Sequence, residues 1–231
     1  MTDIRINRLN DQGVQRHLEG GVAAAEALYH EALALAPEHA TTLNNLGFLC
    51  AQMERWDQAR EYLQRALAIE PGQAMAHSNL GQVLVHQGDL QTGMSHLQTA
   101  TRLDPESALA WQNFGRMQLV SGDPRGAESS LTRALTIAGP SATLLTRLGT
   151  SLALQQRYVD AAILLRQATD LEPDNADAWA QLGGVLFIDR DFGSARRALS
   201  RALELIDCYR PLMSTATVLP AAWHGVPTAC C

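Results

Sequence analysis

Six glycines, Gly13, Gly47, Gly81, Gly115, Gly149 and Gly183, stand 34 residues apart along the 231-residue chain. Each falls inside a stretch with helical spacing of apolar residues, where glycine costs about 1 kcal/mol relative to alanine. A helix that keeps such a residue usually has a packing or functional reason for it. The same period carries more than glycine. From the second unit on, Leu46, Leu80, Phe114, Leu148 and Leu182 stand one residue before it. Twelve residues after it come Ala25, Ala59, Gly93, Ala127, Ala161 and Ala195, and seven further on Ala32, Ala66, Ala100, Ala134, Ala168 and Ala202. Pro37, Pro71, Pro105 and Pro173 close four units. Six copies without an insertion exclude an ordinary irregular domain.

Within a unit, Leu46, Leu49, Cys50 and Met53 share one helical face, and Ala59, Leu63, Ala66 and Leu67 share another. The sequences "EGG", "QGD" and "SGDP" carry turn residues between the two. Each unit is therefore a predicted helical hairpin. Its glycine is expected to face the small residue of the second helix, letting the two backbones approach. Trp56, Tyr158 and Phe192, which follow the turn in other units, are expected to plug the gap there. A single hairpin gains roughly 1.5–3 kcal/mol per large buried side chain. Ordering its backbone costs roughly 1–2 kcal/mol per residue. Stability has to come from stacking on neighbours, with an inner surface lined mainly by the first helices.

This pattern resembles the tetratricopeptide repeat, a 34-residue helix–turn–helix that begins W-x2-L-G-x2-Y and closes on proline. The nearest matches are Trp111-x2-Phe114-Gly115 and Trp179-x2-Leu182-Gly183. The tyrosine site departs from the pattern, holding Arg16, Cys50, Leu84, Gln118, Leu152 and Leu186. The first unit has Gln12 before its glycine, and the fourth has its proline one residue late, at Pro140. The resemblance implies an all-α fold, a right-handed superhelical solenoid over residues 6–209. Its units are 6–39, 40–73, 74–107, 108–141, 142–175 and 176–209.

The resemblance also points to a site. Asn45, Asn79 and Asn113 stand two residues before three successive glycines. In tetratricopeptide proteins that grip extended peptides, asparagines at this place hold the ligand backbone. An amide both donates and accepts, so it pairs with a peptide unit whatever its sequence. The neighbouring strip holds Asn44 and Gln112 three before the glycine and Phe48, Gln82 and Arg116 one after it. Arg147 takes the asparagine place in the fifth unit, and two arginines together suit a carboxylate. The clamp that family members use for chaperone tails relies on lysine as well. All 18 basic residues here are arginine, which disfavours that specific function. Phe48, Leu119, Val120, Leu154, Phe187 and Ile188 are the apolar candidates beside the strip.

Catalytic and metal chemistry are not expected. The seven histidines make no H-x-x-x-H or H-E-x-x-H arrangement, and no P-loop, G-x-S-x-G or G-x-G-x-x-G occurs. The four cysteines lack zinc spacing, and Cys50 reads as a small buried hydrophobe. No cofactor is implied. Dispersed arginines give no nucleic-acid stripe, and no apolar run is long enough for a membrane. The polar start resembles no signal or transit peptide, so a cytoplasmic protein is expected. Residues 210–231 leave the register, and after Arg210 they are apolar and uncharged. Pro211, Pro220 and Pro227 are expected to break long helices there, leaving a short helix over 212–219 as a cap.

The expected function is a non-catalytic interaction scaffold for an extended peptide or partner protein. Two other readings use the same residues. The array is a substrate-recognition arm of a larger transferase or oxygenase, or it self-assembles end to end through its tail into a homo-oligomer.

Overall fold

The computed structural model describes the backbone of residues 2–215 and the side chains of 3–206. The described residues form twelve helices and no strand. They are α1 (Thr2–Leu18), α2 (Val22–Leu35), α3 (Ala40–Gln52), α4 (Trp56–Ile69), α5 (Ala74–His86) and α6 (Leu90–Leu103). The second half continues with α7 (Ala108–Val120), α8 (Pro124–Ala138), α9 (Ala142–Leu154), α10 (Tyr158–Leu171), α11 (Ala176–Ile188) and α12 (Phe192–Thr215). Consecutive helices pack as antiparallel hairpins, and each hairpin packs on the next. Leu43, Leu46, Leu49, Leu63, Leu97, Leu131 and Leu165 are fully buried between them.

Curvature follows from which helices meet. The first helices touch across hairpins, α1 with α3, α3 with α5, and so on to α9 with α11. Among the described residues the second helices make no comparable contact with one another. First helices that crowd together must lie on the inside of the bend. Side chains projecting from them away from the second helices therefore face a hollow.

The repeating glycines mark the helix crossing, though their nearest neighbour differs from the expected one. A Cβ on Gly47 would lie 2.7 Å from Leu63 Cγ, and one on Gly115 would lie 2.7 Å from Leu131 Cγ. The partner is thus the large residue sixteen positions on, while the small residue contributes its carbonyl, as Ala59 O does 3.3 Å from the Gly47 position. The reason is that a leucine on the second helix lies across the first, and any Cβ beneath it would occupy its volume. The third hairpin is tightest, since Gly81 and Gly93 face each other and a Cβ on Gly81 would meet Gly93 O at 2.8 Å.

The hairpin turns carry a second periodic demand. Seven residues after each glycine the backbone is left-handed, at Gly20, Glu54, Gly88, Gly122, Gln156 and Arg190. Glycine meets that demand in three units, whereas the other three place an L side chain where it costs roughly 1–2 kcal/mol. Helix starts are capped by His39, Asp89, Ser107, Asp123, Ser141 and Asn175, each accepting from a backbone N–H three residues on.

Two expectations near the end of the array need correction. Trp56 and Tyr158 are partly buried against the core, but Phe192 is 58% exposed. Trp56 stacks on His86 of the following hairpin, and the last hairpin has no described first helix beyond it to supply that surface. Helix α12 also runs through Pro211 to Thr215 rather than breaking at the proline. Proline removes one backbone bond and crowds one carbonyl, and a helix already built resumes beyond it. The remaining tail features, Pro220, Pro227, Trp223 and Cys230–Cys231, lie outside the described residues.

Three stability measurements follow. Gly81→Ala is expected to destabilise by about 1–3 kcal/mol in urea unfolding, because a methyl group is forced into a packed crossing. Gly184→Ala, in the same kind of helix with nothing within 4 Å of the new Cβ, is expected to stabilise by about 0.5–1 kcal/mol. Gln156→Gly is expected to stabilise by about 1 kcal/mol by relieving the left-handed turn, and a loss of stability would contradict the strain assigned there.

Candidate functional site

The inner strip is built by one register of the first helices, repeated. A cavity of 730 Å³ opens on α1, α3, α5 and α7. It brings together Asn44, Asn45, Asn79, Gln82 and Asn113 with Phe48, five amides and one ring that the sequence assigned to a single face. Arg116 adjoins this group through a hydrogen bond from Nη2 to Gln82 Oε1, and the charge of Arg147 acts on Arg116. Gln112 is half-buried on α7 and is not part of the cavity wall.

The asparagines bond from unit to unit. Asn45 Nδ2 donates to Asn10 Oδ1 at 2.9 Å, Asn79 Nδ2 to Asn44 Oδ1 at 2.9 Å, and Asn113 Nδ2 to Ser78 Oγ at 3.1 Å. Each bond runs from two residues before one glycine to three before the previous one. The ladder therefore ties successive first helices together. Asn79 is only 8% exposed as a result. Each amide commits an amino hydrogen to its neighbour, and Asn45 Oδ1 also accepts from Asn44 Nδ2 at 3.2 Å. Among the described residues, Asn79 Oδ1 and Asn113 Oδ1 accept no hydrogen bond from protein.

Where arginine and glutamine replace asparagine, the ladder ends. Thr146 Oγ1, in the acceptor position of the fifth unit, is buried without a partner. Gln181 reaches its own-helix neighbour Asp177 instead. The two arginines next to the break are half-buried. Burial and then the charge of Arg147 bring the Arg116 pKa down to about 10. Burial also lowers that of Arg147, with Asp177 opposing. Both remain cationic at neutral pH. Neither forms a salt bridge to a carboxylate among the described residues.

Met75 and Leu109 also line the cavity, at 56% and 52% exposed, together with His17, whose ring tilts against Phe48 at 5.7 Å. Sequence reasoning missed this apolar pair. The signal was present, since Met75 and Leu109 occupy one register position, six residues before Gly81 and Gly115. Of the other apolar candidates, Val120, Leu154, Phe187 and Ile188 are exposed, whereas Leu119 packs into the core. Among the described residues there is no group of three metal-ligating side chains, and burial pushes the Cys50 thiol up, keeping it protonated. No described helix is long and apolar enough to cross a membrane.

Models of the tetratricopeptide repeat match residues 7–70 and, in overlapping segments, 51–108, 79–143, 113–171 and 146–207. The chain belongs to the tetratricopeptide repeat family. No curated protein matches it in sequence. Among solved structures it is similar to pilF of Pseudomonas aeruginosa, at 20% identity and TM-score 0.76, covering 90% of this chain and 94% of that one. It is similar to YrrB, described as a tetratricopeptide repeat protein with an unusual peptide-binding site, at 19% identity and TM-score 0.62, over 80% of this chain and 96% of that one. The Cut9–Hcn1 hetero-tetramer of the anaphase-promoting complex gives 16% identity and TM-score 0.78, over 87% and 40%. At these identities the likeness establishes the solenoid. The tetratricopeptide fold is that of an interaction scaffold, and proteins of the family are typically non-catalytic.

Two histidines near these surfaces set a pH response. Burial, aided by the Arg116 charge and opposed by Glu54, lowers the His86 pKa below 6.5, and burial with the charge of His77 lowers that of His96. The folded state therefore binds fewer protons than the unfolded one in this range. The stability this gives is complete above pH about 6.5 and is lost as pH falls through the folded values. Thermal unfolding is expected to show a falling midpoint from pH 7 to pH 5. His96→Gln is expected to flatten that slope, and an unchanged slope would contradict the assignment.

Proposed function

We propose that the array is a non-catalytic cytoplasmic scaffold whose inner strip holds an extended segment of a partner protein. The carbonyls of the asparagine ladder accept from the segment's backbone N–H groups. Phe48, Met75 and Leu109 take an apolar side chain, and Arg116 with Arg147 take an acidic one.

One observation carries this reading. Two arginines are held half-buried and near enough for the charge of Arg147 to act on Arg116, with Asp177 acting on Arg147 only through space and no carboxylate bonded to either among the described residues. Desolvated like charges are unfavourable unless an anion joins them. Magnitudes favour the same conclusion. Ladder hydrogen bonds net about 0.5–1.5 kcal/mol each, while ordering a flexible segment costs about 2–5 kcal/mol. Hydrogen bonds to charged groups contribute about 1.5–3 kcal/mol, enough to tip the balance.

The arginines are also the cleaner probe. Truncating Asn79 would strand Asn44 Oδ1 and loosen the array itself, mixing stability with recognition. The expected outcome concerns a set of extended ten-residue peptides that carry one apolar residue and either Asp/Glu or Asn/Gln at varied spacing. In fluorescence anisotropy the acidic members bind at least ten-fold more tightly, and the preference shrinks at high salt. Arg116→Met with Arg147→Met removes the preference while leaving circular dichroism unchanged. Equal binding of acidic and amide peptides by the intact chain rejects the arginine role.

A further inference from the structure

The third unit departs from the other five at two positions that meet in space. Where the repeat places Leu9, Leu43, Trp111, Leu145 or Trp179 it has His77, and where it places Leu28, Tyr62, Ser130, Leu164 or Ala198 it has His96. The two rings lie with centroids 5.0 Å apart and Nδ1 atoms 2.8 Å apart.

The protonation pattern follows from the tryptophans. Trp111 Nε1–H donates to Pro105 O at 2.9 Å, and Trp179 Nε1–H to Pro173 O at 3.0 Å. His77 makes the corresponding contact, Nε2 to Pro71 O at 3.0 Å. A carbonyl oxygen only accepts, so His77 Nε2 bears the hydrogen and His77 Nδ1 presents a lone pair. That lone pair is aimed at His96 Nδ1, which supplies the hydrogen between them in the metal-free pair.

We propose that His77 and His96 form a two-imidazole site for a late first-row divalent metal ion such as Ni²⁺, Cu²⁺ or Zn²⁺. Both Nδ1 atoms ligate, and water completes the coordination. Bonds of about 2.0–2.1 Å set two donors roughly 2.8–3.4 Å apart for angles between square and tetrahedral. The observed separation is within that span, and ligation requires each ring to swing by roughly 35–45° so that the two lone pairs converge beside the Nδ1–Nδ1 axis rather than along it. Pro71 O is the outer acceptor that keeps the His77 hydrogen on Nε2 and leaves Nδ1 free to ligate. The proton balance is simple. The hydrogen on His96 Nδ1 transfers through solvent to its Nε2, which is unbonded to protein among the described residues, and the freed lone pair binds the ion with no net proton release. Burial keeps His96 neutral at pH 7, so that lone pair is available. Both rings are partly exposed, leaving access for the ion and its waters.

The test is calorimetric titration of the intact chain with NiCl₂ at pH 7.5, against His77→Trp and His96→Ala. His77→Trp restores the residue that the fourth and sixth units carry, and its indole can keep the bond to Pro71 O, so the fold is retained. All three proteins have the same cysteines, and only the difference between them reports on the pair. The intact chain is expected to take up one equivalent that both variants bind at least ten-fold more weakly, with the His77 and His96 ring resonances broadened selectively by Ni²⁺. Equal uptake by the intact chain and His77→Trp overturns the site, as does no uptake by the intact chain.

Discussion

Everything in this molecule depends on how closely two helices cross at a residue without a side chain. At each crossing a leucine or tyrosine of the second helix fills the space a Cβ would need. That contact fixes the spacing within a hairpin, and the spacing within a hairpin fixes how the next one seats. Because the unit repeats without insertion, a small rotation per unit accumulates into a curve. The first helices are then pressed together along its inside. A scaffold of this kind has nearest-neighbour energetics, so its inner face is an additive property of many weak interfaces.

In the proposed function, recognition and stacking share the atoms of the asparagine ladder. An amide has enough hydrogen-bonding capacity to do both, giving one hydrogen to the previous unit and keeping its carbonyl. The ladder stops where the charge begins. Arg147 makes no bond to Gln112 of the previous unit among the described residues, and Gln181 turns to Asp177, leaving Thr146 without a partner in the next step. The inner strip thus changes character along its length, from neutral amides bordered by apolar side chains to a desolvated cationic pair. An extended ligand with one apolar and one acidic side chain matches that order.

Much of this was legible in the sequence, because the fold is written 34 residues at a time. The helices and their pairing follow from the period, and the strip that carries Asn45, Asn79 and Asn113 from the resemblance to the tetratricopeptide repeat. What period does not reveal is what happens between units. The glycine partner was assigned to the small residue twelve positions on, since sequence shows which residues are small and not which side chain lies over them. The left-handed turn is visible where Gly88 fills it and invisible where Gln156 does. The bonds that tie Asn79 to Asn44 join residues 35 apart, one off the period, and so fell outside a search at constant register. His77 and His96 stand 19 residues apart with no motif spacing between them, while the fold brings them into contact through one hairpin.

The central claim is that the hollow lined by the first helices is where a partner segment lies. Nuclear magnetic resonance of the isotope-labelled chain, titrated with an acidic extended peptide, reads this directly. The account predicts that the side-chain amide signals of Asn45, Asn79 and Asn113 move together with the Nε–H signals of Arg116 and Arg147, while second-helix residues stay still. Shifts confined to the second helices or to the ends of the array, with those five side chains unmoved, would contradict it.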